Sequence, residues 1–387
     1  MEKVQLKKIT TIINGSTPST ADPNNWDGDI PWITPKDLST FHQRFIHRGE
    51  RNITEAGYNS CSTTMVPKGT VLLTSRAPIG YLAIADNPMC TNQGFKSLVC
   101  DESQIIPLYL YYWLSTKVEY LKGISGGATF KELSKTTLEN VEIALPSIAE
   151  QRHIVGTIGT IDDLIEKEQE LLMKIESFEK KLFSAAFEQE RKNHYRLSEV
   201  CDFVPGYSYT SDELVDSPMG MVTIKSVDRA GGFKAEGIKS LLPESSLKSE
   251  KMCQVGDVLV AHTDLTKNQE IIGSPIIVAT TGGFHSLTFS MDMVKVEPKN
   301  HLFSRPLIYQ ILKSQSFKAH ALGYCNGSTV IHLSKGALAN YEFDGPMASD
   351  IVDINGKLSD TYKVKISIVN KLEKLAESKR ILLERYF

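Results

Sequence analysis

Two stretches of the chain carry apolar residues at alternating steps of three and four positions, which places them on one face of a helix. Charged residues fill the other positions. The pattern predicts two long amphipathic helices, each reaching about 60 Å at about 1.5 Å per residue. The apolar stripes are Ile154, Ile158, Ile161, Ile165, Leu172, Ile175, Phe178 and Leu182 in the first stretch, and Ile351, Ile354, Leu358, Tyr362, Ile366, Val369, Leu372, Leu375 and Leu382 in the second.

The first helix has a start signal, because Pro146 precedes a suitable N-cap at Ser147 and Glu150 follows as a capping-box partner. An amphipathic helix depends on packing for its stability, so we expect the two helices to form a coiled coil. The first leads into a second globular segment and the second leads back from it. The pair is therefore predicted to be antiparallel.

The remaining sequence alternates short apolar runs with Gly, Pro and Asn turns, which is typical of strands. Two helical patches, residues 107–121 and 305–317, interrupt these runs. This mixture predicts an α+β fold rather than a doubly wound sheet. The clearest predicted strands are 70–74, 81–85, 257–261, 276–280 and 292–297.

The chain also repeats itself. Residues 133–140 read LSKTTLEN and residues 333–340 read LSKGALAN. Further matches occur in the same order at slightly different shifts, as loop insertions would produce. They pair Leu6 with Leu197, Gly15 with Gly206, Ile33 with Ile224, Asp37 with Asp228, and KGTVLLT (68–74) with VGDVLVA (255–261).

The repeat predicts two similar globular domains, 1–147 and 193–347, joined by a central helix at 148–192 and followed by a C-terminal helix at 348–387. Together with the helix pattern, this predicts an α+β dumbbell with pseudo-two-fold symmetry. Two long antiparallel helices would form the coiled-coil spacer between its domains.

Composition narrows the class of protein. The start of the chain, MEKVQLKKIT, lacks the apolar core of a signal peptide, and no apolar run approaches the roughly 18 residues that span a bilayer. We therefore expect a cytoplasmic protein without membrane contact. The six cysteines form no C-x-x-C pair, so we expect no metal site. The formal net charge of −3 does not by itself indicate a nucleic-acid binder.

Catalytic motifs are missing from the sequence. It contains no P-loop, no G-x-S-x-G elbow and no H-E-x-x-H. Residues 87–90 read NPMC, a near-match to the [ND]-P-P-[FYW] loop of DNA amino-methyltransferases that lacks the second proline and the aromatic residue. We therefore predict a non-enzymatic chain.

Polar loops supply candidate DNA contacts instead. Arg44, Arg48 and Arg51 would share a face on a helical turn, which suits phosphates, although a solvated basic face is an equal alternative. Thr74, Ser75 and Arg76 follow a strand, where arginine could read guanine or could pair with a carboxylate. The equivalent stretch of the second domain differs in residue type and offers His262, Thr263, Lys267, Asn268 and Gln269.

Two further pairs of segments contribute candidates. Gln93 and Lys96 are matched with His285 and Ser286 at a similar place in the second domain. A Gly-rich turn before a helix start occurs in both halves, where threonine and lysine side chains could contact phosphates. These residues are Thr129, Lys135, Thr329 and Lys335.

The segments GSTPST…DIPWITPKDL (15–38), TNQGFKSL (91–98) and LPSIAEQRHIVGTIGTIDDLI (145–165) resemble the DNA-specificity subunit of type I restriction-modification systems. The repeated plan extends this resemblance over the whole chain. The second half departs from it, because Pro346 is followed by MASDI where the family often repeats P-x-x-x-E-Q. Whether both helix starts engage a partner equally is thereby left open.

The resemblance implies that each domain is a target-recognition domain for one half of a bipartite DNA sequence. The helices would set the gap and dock two adenine-N6 methyltransferase subunits, and a restriction or motor subunit would join them. S-adenosylmethionine, ATP and Mg²⁺ would belong to those partners, with no cofactor in this chain. The implied docking residues are Pro146, Glu150, Gln151, Ile154 and Ile158.

Two other functions compete with this hypothesis. A protein-binding scaffold would carry the same duplicated modules on a coiled coil without touching DNA. A free-standing methyltransferase or nuclease would need the catalytic motifs that the sequence lacks. The polar loops that differ between equivalent places of the two repeats favour DNA recognition.

Overall fold

A computed structural model describes residues 2–39, 41, 43–127, 131–188, 192–229, 231–243, 247–266, 268–327, 330–334 and 336–387. The chain forms two compact units. Unit 1 comprises residues 1–167 and 374–387, and unit 2 comprises residues 168–373. The boundary between the compact units falls within both long helices. The segments predicted from the sequence instead assign each long helix to a segment of its own, with bounds 1–147, 148–192, 193–347 and 348–387. That segmentation stays a prediction.

Unit 1 is built on a five-stranded sheet of order β2-β9-β6-β7-β4 and a three-stranded sheet of order β5-β3-β8. Its strands are β1 (Glu2–Gln5), β2 (Thr10–Asn14), β3 (Trp26–Ile33), β4 (Phe45–Ile46), β5 (Arg51–Ile53), β6 (Val71–Ser75), β7 (Ile79–Ala85), β8 (Cys90–Thr91), β9 (Phe95–Cys100) and β10 (Glu142–Leu145). Its short helices are α1 (Leu6–Ile9), α2 (Pro35–Ser39), α3 (Glu55–Asn59), α4 (Pro107–Thr116), α5 (Val118–Gly123) and α6 (Lys135–Glu139). Helix α7 (Ile148–Phe187) follows.

Unit 2 is built on four-stranded sheets of order β12-β20-β16-β18 and β14-β13-β19-β15, with β17-β22-β21 beside them. Its strands are β11 (Asn193–Arg196), β12 (Cys201–Pro205), β13 (Met219–Val222), β14 (Lys239–Ser240), β15 (Met252–Cys253), β16 (Val258–Ala261), β17 (Thr263–Asp264), β18 (Pro275–Ile277), β19 (Ser286–Phe289), β20 (Met293–Pro298), β21 (Cys325–Asn326), β22 (Ile331–Leu333) and β23 (Glu342–Gly345). Its helices are α8 (Leu197–Val200), α9 (Arg305–Leu312), α10 (Gln315–Gly323) and α11 (Gly336–Ala339), followed by α12 (Ala348–Tyr386).

The two units repeat the same backbone hydrogen bonds. Strand β1 pairs with β10 from Glu2↔Leu145, and β11 pairs with β23 from Asn193↔Gly345. The Leu6 N–H donates to the Val141 carbonyl at 2.9 Å, and the Leu197 N–H donates to the Tyr341 carbonyl at 2.8 Å. The α+β class and the internal repeat predicted from the sequence are therefore confirmed.

The LSK segments have a structural role in both units. The buried Leu133 donates its N–H to the Ser75 carbonyl, and the buried Leu333 donates to the His262 carbonyl, each at 2.9 Å. Ser75 and His262 are themselves equivalent, because β6 pairs with β9 as β16 pairs with β20. The repeated segment therefore holds the end of the same strand in each unit.

Two matches within the repeat have to be moved. Strand β3 pairs in parallel with β8 through Ile33↔Thr91, and β13 pairs with β19 through Val222↔Phe289. The counterpart of Ile33 is thus Val222 rather than Ile224. By the same pairing, residues 91–95 of unit 1 are equivalent to residues 289–293 of unit 2. His285 and Ser286 are therefore equivalent to Asn87 and Pro88 rather than to Gln93 and Lys96. Loops of unequal length cause this slip, because a sequence match does not fix strand register.

The long helices pack antiparallel in each unit. In unit 1, Asp162 of α7 accepts from the Lys379 ammonium at 2.7 Å, and His153 lies against the Tyr386 ring with centroids 6.4 Å apart. In unit 2, Glu179 of α7 accepts from Lys365 at 3.0 Å and from the Thr361 hydroxyl at 2.8 Å. Residues later in α7 therefore contact residues earlier in α12, as predicted for an antiparallel pair.

The start of α7 follows the predicted capping, since the Glu150 N–H donates to the Ser147 hydroxyl at 3.3 Å. The predicted stripe needs one correction. Phe178 is half exposed, whereas its neighbour Glu179 is buried. A carboxylate is tolerated there because Thr361, Lys365 and Gln310 all donate to it.

Candidate nucleic-acid interface

The turn between β6 and β7 presents Arg76 at the edge of unit 1. Thr74 and Ser75 precede it with no exposed area. Thr74 donates its hydroxyl to the Pro78 carbonyl at 2.8 Å, and Ser75 donates to the Gly94 carbonyl at 3.1 Å. This corrects the assignment of Thr74 and Ser75 to DNA contacts, because both side chains are enclosed and already bonded.

Arg76 pairs with a carboxylate, as the alternative interpretation expected. Its guanidinium lies 3.7 Å from Glu132, and the same carboxylate lies 3.6 Å from the Lys96 ammonium. Lys96 is 5% exposed, and burial lowers its pKa although Glu132 opposes the shift. This corrects the assignment of the enclosed Lys96 to a DNA contact, whereas Arg76, with 40% of its side chain exposed, stays a candidate.

Open depressions lie on both sides of Glu132. One of about 470 Å³ is lined by Gln93, Lys96, Ser134 and Lys135. The other, of about 600 Å³, is lined by Arg76, Lys122 and Lys131. Gln93 is exposed and accepts a hydrogen bond from the Thr17 hydroxyl. Lys135 is exposed and lies 3.7 Å from Glu139, so both Gln93 and Lys135 stay candidates.

The equivalent place in unit 2 has different chemistry. Thr263 is buried in β17 and lies 3.3 Å from Nδ1 of His332. His262, just before it, is partly buried. Burial lowers the pKa of His262, and the nearby His332 lowers it further. The direct assignment of Thr263 to DNA is corrected, because its hydroxyl is enclosed against His332.

The loop after β17 is held by the buried Asp264 and the partly buried Lys318. The Asp264 carboxylate accepts from the N–H groups of Thr266, Ile271 and Ile272 at 2.6–2.8 Å. The Lys318 ammonium donates to the carbonyls of Gln269, Glu270 and Ile272 at 2.6–3.2 Å. Asn268 is exposed at the loop tip, and Gln269 has a positive φ of 54°. Asn268 and Gln269 therefore stay candidates.

The duplicated frame thus carries unlike side chains at matching positions. Arg76 corresponds to Thr263, and Glu132 corresponds to His332, since Leu133 and Leu333 make the same backbone bond next to them. An arginine–carboxylate pair in one unit is replaced by a threonine–histidine pair in the other. These positions differ in charge and in hydrogen-bonding capacity.

A second polar patch lies on the β5-β3-β8 sheet of unit 1 and on the β14-β13-β19-β15 sheet of unit 2. In unit 1 the exposed Arg51 guanidinium stacks 3.8 Å from the Trp26 ring centroid, and the exposed Arg48 lines a depression near it. In unit 2, Lys239 of β14 takes the place of Arg51. His285 is exposed and Ser286 begins β19 on the same sheet. With the corrected register, four predicted residues lie on or beside equivalent sheets of the two units. They are Arg48 and Arg51 in unit 1, and His285 and Ser286 in unit 2.

Arg44 is placed differently from Arg48 and Arg51. The segment forms β4 and β5 rather than a helical turn. The Arg44 side chain is 8% exposed and donates to both Glu166 oxygens at 3.0 and 2.9 Å, as well as to Asp163. Burial lowers the pKa of Arg44, but these hydrogen bonds outweigh burial and raise it. This corrects its assignment to a phosphate contact, because its donors are engaged inside unit 1.

The expected docking residues at the start of α7 are mostly internal. Ile154 and Ile158 belong to the buried core of unit 1, and Pro146 is buried. The Gln151 side chain is fully buried and bonds the Ile106 N–H and the carbonyls of Gln104 and Pro146 at 2.9–3.0 Å. These four are corrected to structural residues. Glu150 is exposed and stays a candidate.

Sequence reasoning missed several residues of these patches, and some candidates cannot be placed. Lys122, Lys131, Glu132 and His332 line or pair within the patches, yet only spatial proximity singles them out. Thr129, Lys267, Thr329 and Lys335 lie outside the described residues.

Over the described ranges, no group of His, Cys, Asp and Glu is arranged to hold a metal ion. Within the same part of the chain, no helix is long and apolar enough to cross a membrane.

His262 gives unit 2 a predicted pH dependence. A lowered pKa means that the unfolded chain binds more protons than the folded one, so stability is fully present above the ordinary His pKa near 6.5 and is lost as pH falls through the lower folded value. We expect the midpoint temperature of the thermal unfolding of unit 2 to decrease as the pH is lowered from 7.5 to 5. His262→Gln should flatten this dependence, whereas His285→Gln, at an exposed position, should not. Identical pH profiles for both variants would contradict the assignment.

Comparison with known proteins finds a match over the first part of the chain. Residues 1–177 match the family model described as the type I restriction modification DNA specificity domain. The matched residues contain the Arg76 depressions, the Arg51 patch and most of α7.

Curated relatives also match part of the chain. The MjaIX specificity subunit of a type I restriction enzyme from Methanocaldococcus jannaschii is 53% identical over 176 residues, covering 44% of this chain and 40% of the relative. The HindI specificity subunit from Haemophilus influenzae is 30% identical over 148 residues, covering 38% of this chain and 32% of the relative. The chain thus spans less than half the length of either relative in these matches.

A solved structure extends the likeness in fold to the whole chain. The S subunit of a type I restriction-modification system from M. genitalium superposes with a TM-score of 0.61 at 15% identity, covering 100% of this chain and 96% of that one. At this identity the match establishes the fold. The likeness in fold therefore extends beyond the residues that match the family model.

Proposed function

We propose that this chain is the DNA sequence-recognition subunit of a type I restriction-modification complex, in which each domain reads one half of a bipartite target. The observation that carries the proposal is that equivalent edges of one repeated frame expose unlike side chains, Arg76 in unit 1 and His332 in unit 2. A common frame with different hydrogen-bonding groups suits two readers of different base sequences.

The chain recognises DNA without performing chemistry on it. Double-stranded DNA and two adenine-N6 methyltransferase subunits are its proposed partners, and restriction or motor subunits join the same complex. S-adenosylmethionine, ATP and Mg²⁺ act in those partner subunits. The complex works in the cytoplasm, where its DNA substrate is accessible.

The long helices provide the proposed docking surface for methyltransferase. Large apolar side chains on α7 remain exposed, which supports a protein partner because such side chains cluster at interfaces. They replace the buried Ile154 and Ile158 as proposed contacts, alongside Glu150. The exposed set is Leu164, Leu171, Met173 and Phe178.

Methylation mapping tests the proposal. A host expressing this chain with its methyltransferase subunit should acquire adenine methylation at a motif of two short specified halves separated by unspecified bases. A host expressing the methyltransferase alone is the control and should lack that motif. Methylation that does not depend on this chain would contradict DNA recognition and would favour a protein-binding scaffold.

A further inference from the structure

We propose that the depression beside β3 and β5 in unit 1 reads the exocyclic amino group of an adenine or cytosine, with Asn52 and Asn87 as the accepting residues. This assignment rests on the proposed function in DNA recognition and names the base chemistry of one site. The depression is open to solvent and has a volume of about 450 Å³. Its lining includes Asp29, Arg48, Asn52, Met65, Asn87 and Pro88.

Two acceptors in this lining have no partner. The side-chain oxygens Oδ1 of Asn52 and Asn87 are buried and receive no hydrogen bond among the described residues. A buried acceptor without a donor destabilises the folded chain, so structures retain few of them. Both oxygens have less than 1 Å² of exposed area, so the amides must rotate to reach a ligand. The terminal torsion of asparagine is soft enough for this rotation.

The depression offers acceptors to a ligand that donates hydrogen bonds, beside the donors of His47 and Arg48. Pro31 and Pro88 line it and have no backbone N–H to donate, while Asp29 adds a carboxylate. In the major groove, adenine and cytosine present an exocyclic amino donor, whereas guanine and thymine present acceptors at the corresponding edge. The exposed Arg48 lies at the same depression and supplies a positive charge for the adjacent phosphate.

The equivalent position in unit 2 lacks this unsatisfied acceptor. Asn52 lies opposite Pro31 in its strand pair, and Ser240 lies opposite Gly220 at the matching position. The Ser240 hydroxyl donates to the Ser217 carbonyl at 3.1 Å and accepts from the Ser217 N–H at 2.7 Å. Its hydrogen bonds are made within the unit. We therefore expect amino-group recognition of this kind only in the half-site read by unit 1.

Base analogues test the assignment in the assembled complex with methyltransferase. Duplexes carry one replacement at a time, with purine for adenine or 2-pyrimidinone for cytosine, which deletes the amino group alone. The wild-type complex should lose roughly tenfold affinity at one position of one half-site. Asn52→Leu and Asn87→Leu should show that loss on unmodified DNA and no further loss on the analogue. Asn59→Leu, at an exposed position of the same unit, should behave as wild type.

Two further variants separate recognition from folding. The leucine variants should have thermal midpoints no lower than wild type, because they remove an unsatisfied acceptor. Asn87→Asp keeps the acceptors and should keep the discrimination between adenine or cytosine and its analogue, even where overall affinity falls. Ser240→Ala should leave the discrimination in this half-site unchanged.

The outcomes distinguish this assignment from the proposed function. Specific DNA binding with undiminished analogue discrimination in both leucine variants would overturn the asparagine assignment and leave DNA recognition standing. Stabilisation of the wild type, but not of the leucine variants, by millimolar Mg²⁺ or Ca²⁺ would instead make the depression a cation site and would also overturn it. Absence of sequence-specific binding by the wild-type complex would overturn both.

Discussion

Replacing Arg44 by alanine is expected to lower the free energy of unfolding of unit 1 by about 3 kcal/mol, because it leaves the largely buried Glu166 carboxylate without a counterion. The Arg44 guanidinium bonds both oxygens of Glu166, whose side chain is 23% exposed. Asp163 is 60% exposed and stays solvated without Arg44, so it adds little. The estimate therefore lies at the lower end of the range for buried pairs.

Urea denaturation combined with amide hydrogen exchange measures this effect and assigns it to unit 1. Arg48→Ala is the matched control, since Arg48 is exposed and its loss should change stability by no more than about 0.5 kcal/mol. Arg44→Lys keeps the charge but loses the two-point bond to Glu166, so an intermediate loss is expected. Equal stability of Arg44→Ala and Arg48→Ala would return Arg44 to the set of exposed phosphate contacts.

The contrast between Arg44 and Arg48 shows the limit of sequence reasoning about the interface. Both arginines stand in one polar stretch, and nothing local separates them. The difference comes from Glu166, which lies 122 positions away along the chain and reaches Arg44 only after folding. Thr74 and Ser75 were misassigned for a similar reason, because the Pro78 and Gly94 carbonyls that bond them are not visible in a residue pattern.

The repeated segments and the long helices were more predictable from the sequence than the candidate contact residues. Leu133 and Leu333 recur within the matching segments LSKTTLEN and LSKGALAN, and the structure buries both. Periodicity also predicted α7 and α12, since repeated apolar spacing reports the face that packs. It failed at Phe178 and Glu179, where several donors around one carboxylate reverse the usual preference for burying the apolar residue. The predicted match between strands of the two units was wrong because loops of different length separate the matched segments.

Exchange of residues 1–147 for the corresponding domain of a relative with another target should have the largest effect on recognition. The arginine, lysine and asparagine residues around Arg76 and Arg51 would all change together, whereas those around His262 and His285 would stay. We expect one half of the methylated motif to be replaced completely. The other half should be unchanged, because unit 2 keeps its own sheets, core and loop clamp at Asp264 and Lys318.

The matched control exchanges the second domain, residues 193–347, and should alter the opposite half of the motif. Both hybrids require methyltransferase to be expressed with them, and a thermal melt of each hybrid confirms that it folds. A hybrid that folds but directs no methylation would show that the exchanged domain fails to dock, and the reciprocal hybrid then carries the comparison.

The central claim is that two similar domains recognise two different DNA half-sites. Methylome sequencing of hosts that carry the wild-type chain or the 1–147 hybrid tests this claim most directly. The predicted result is adenine methylation at two bipartite motifs that share one half and differ in the other. A single contiguous motif in the wild type, or a hybrid motif in which both halves change, would contradict the claim.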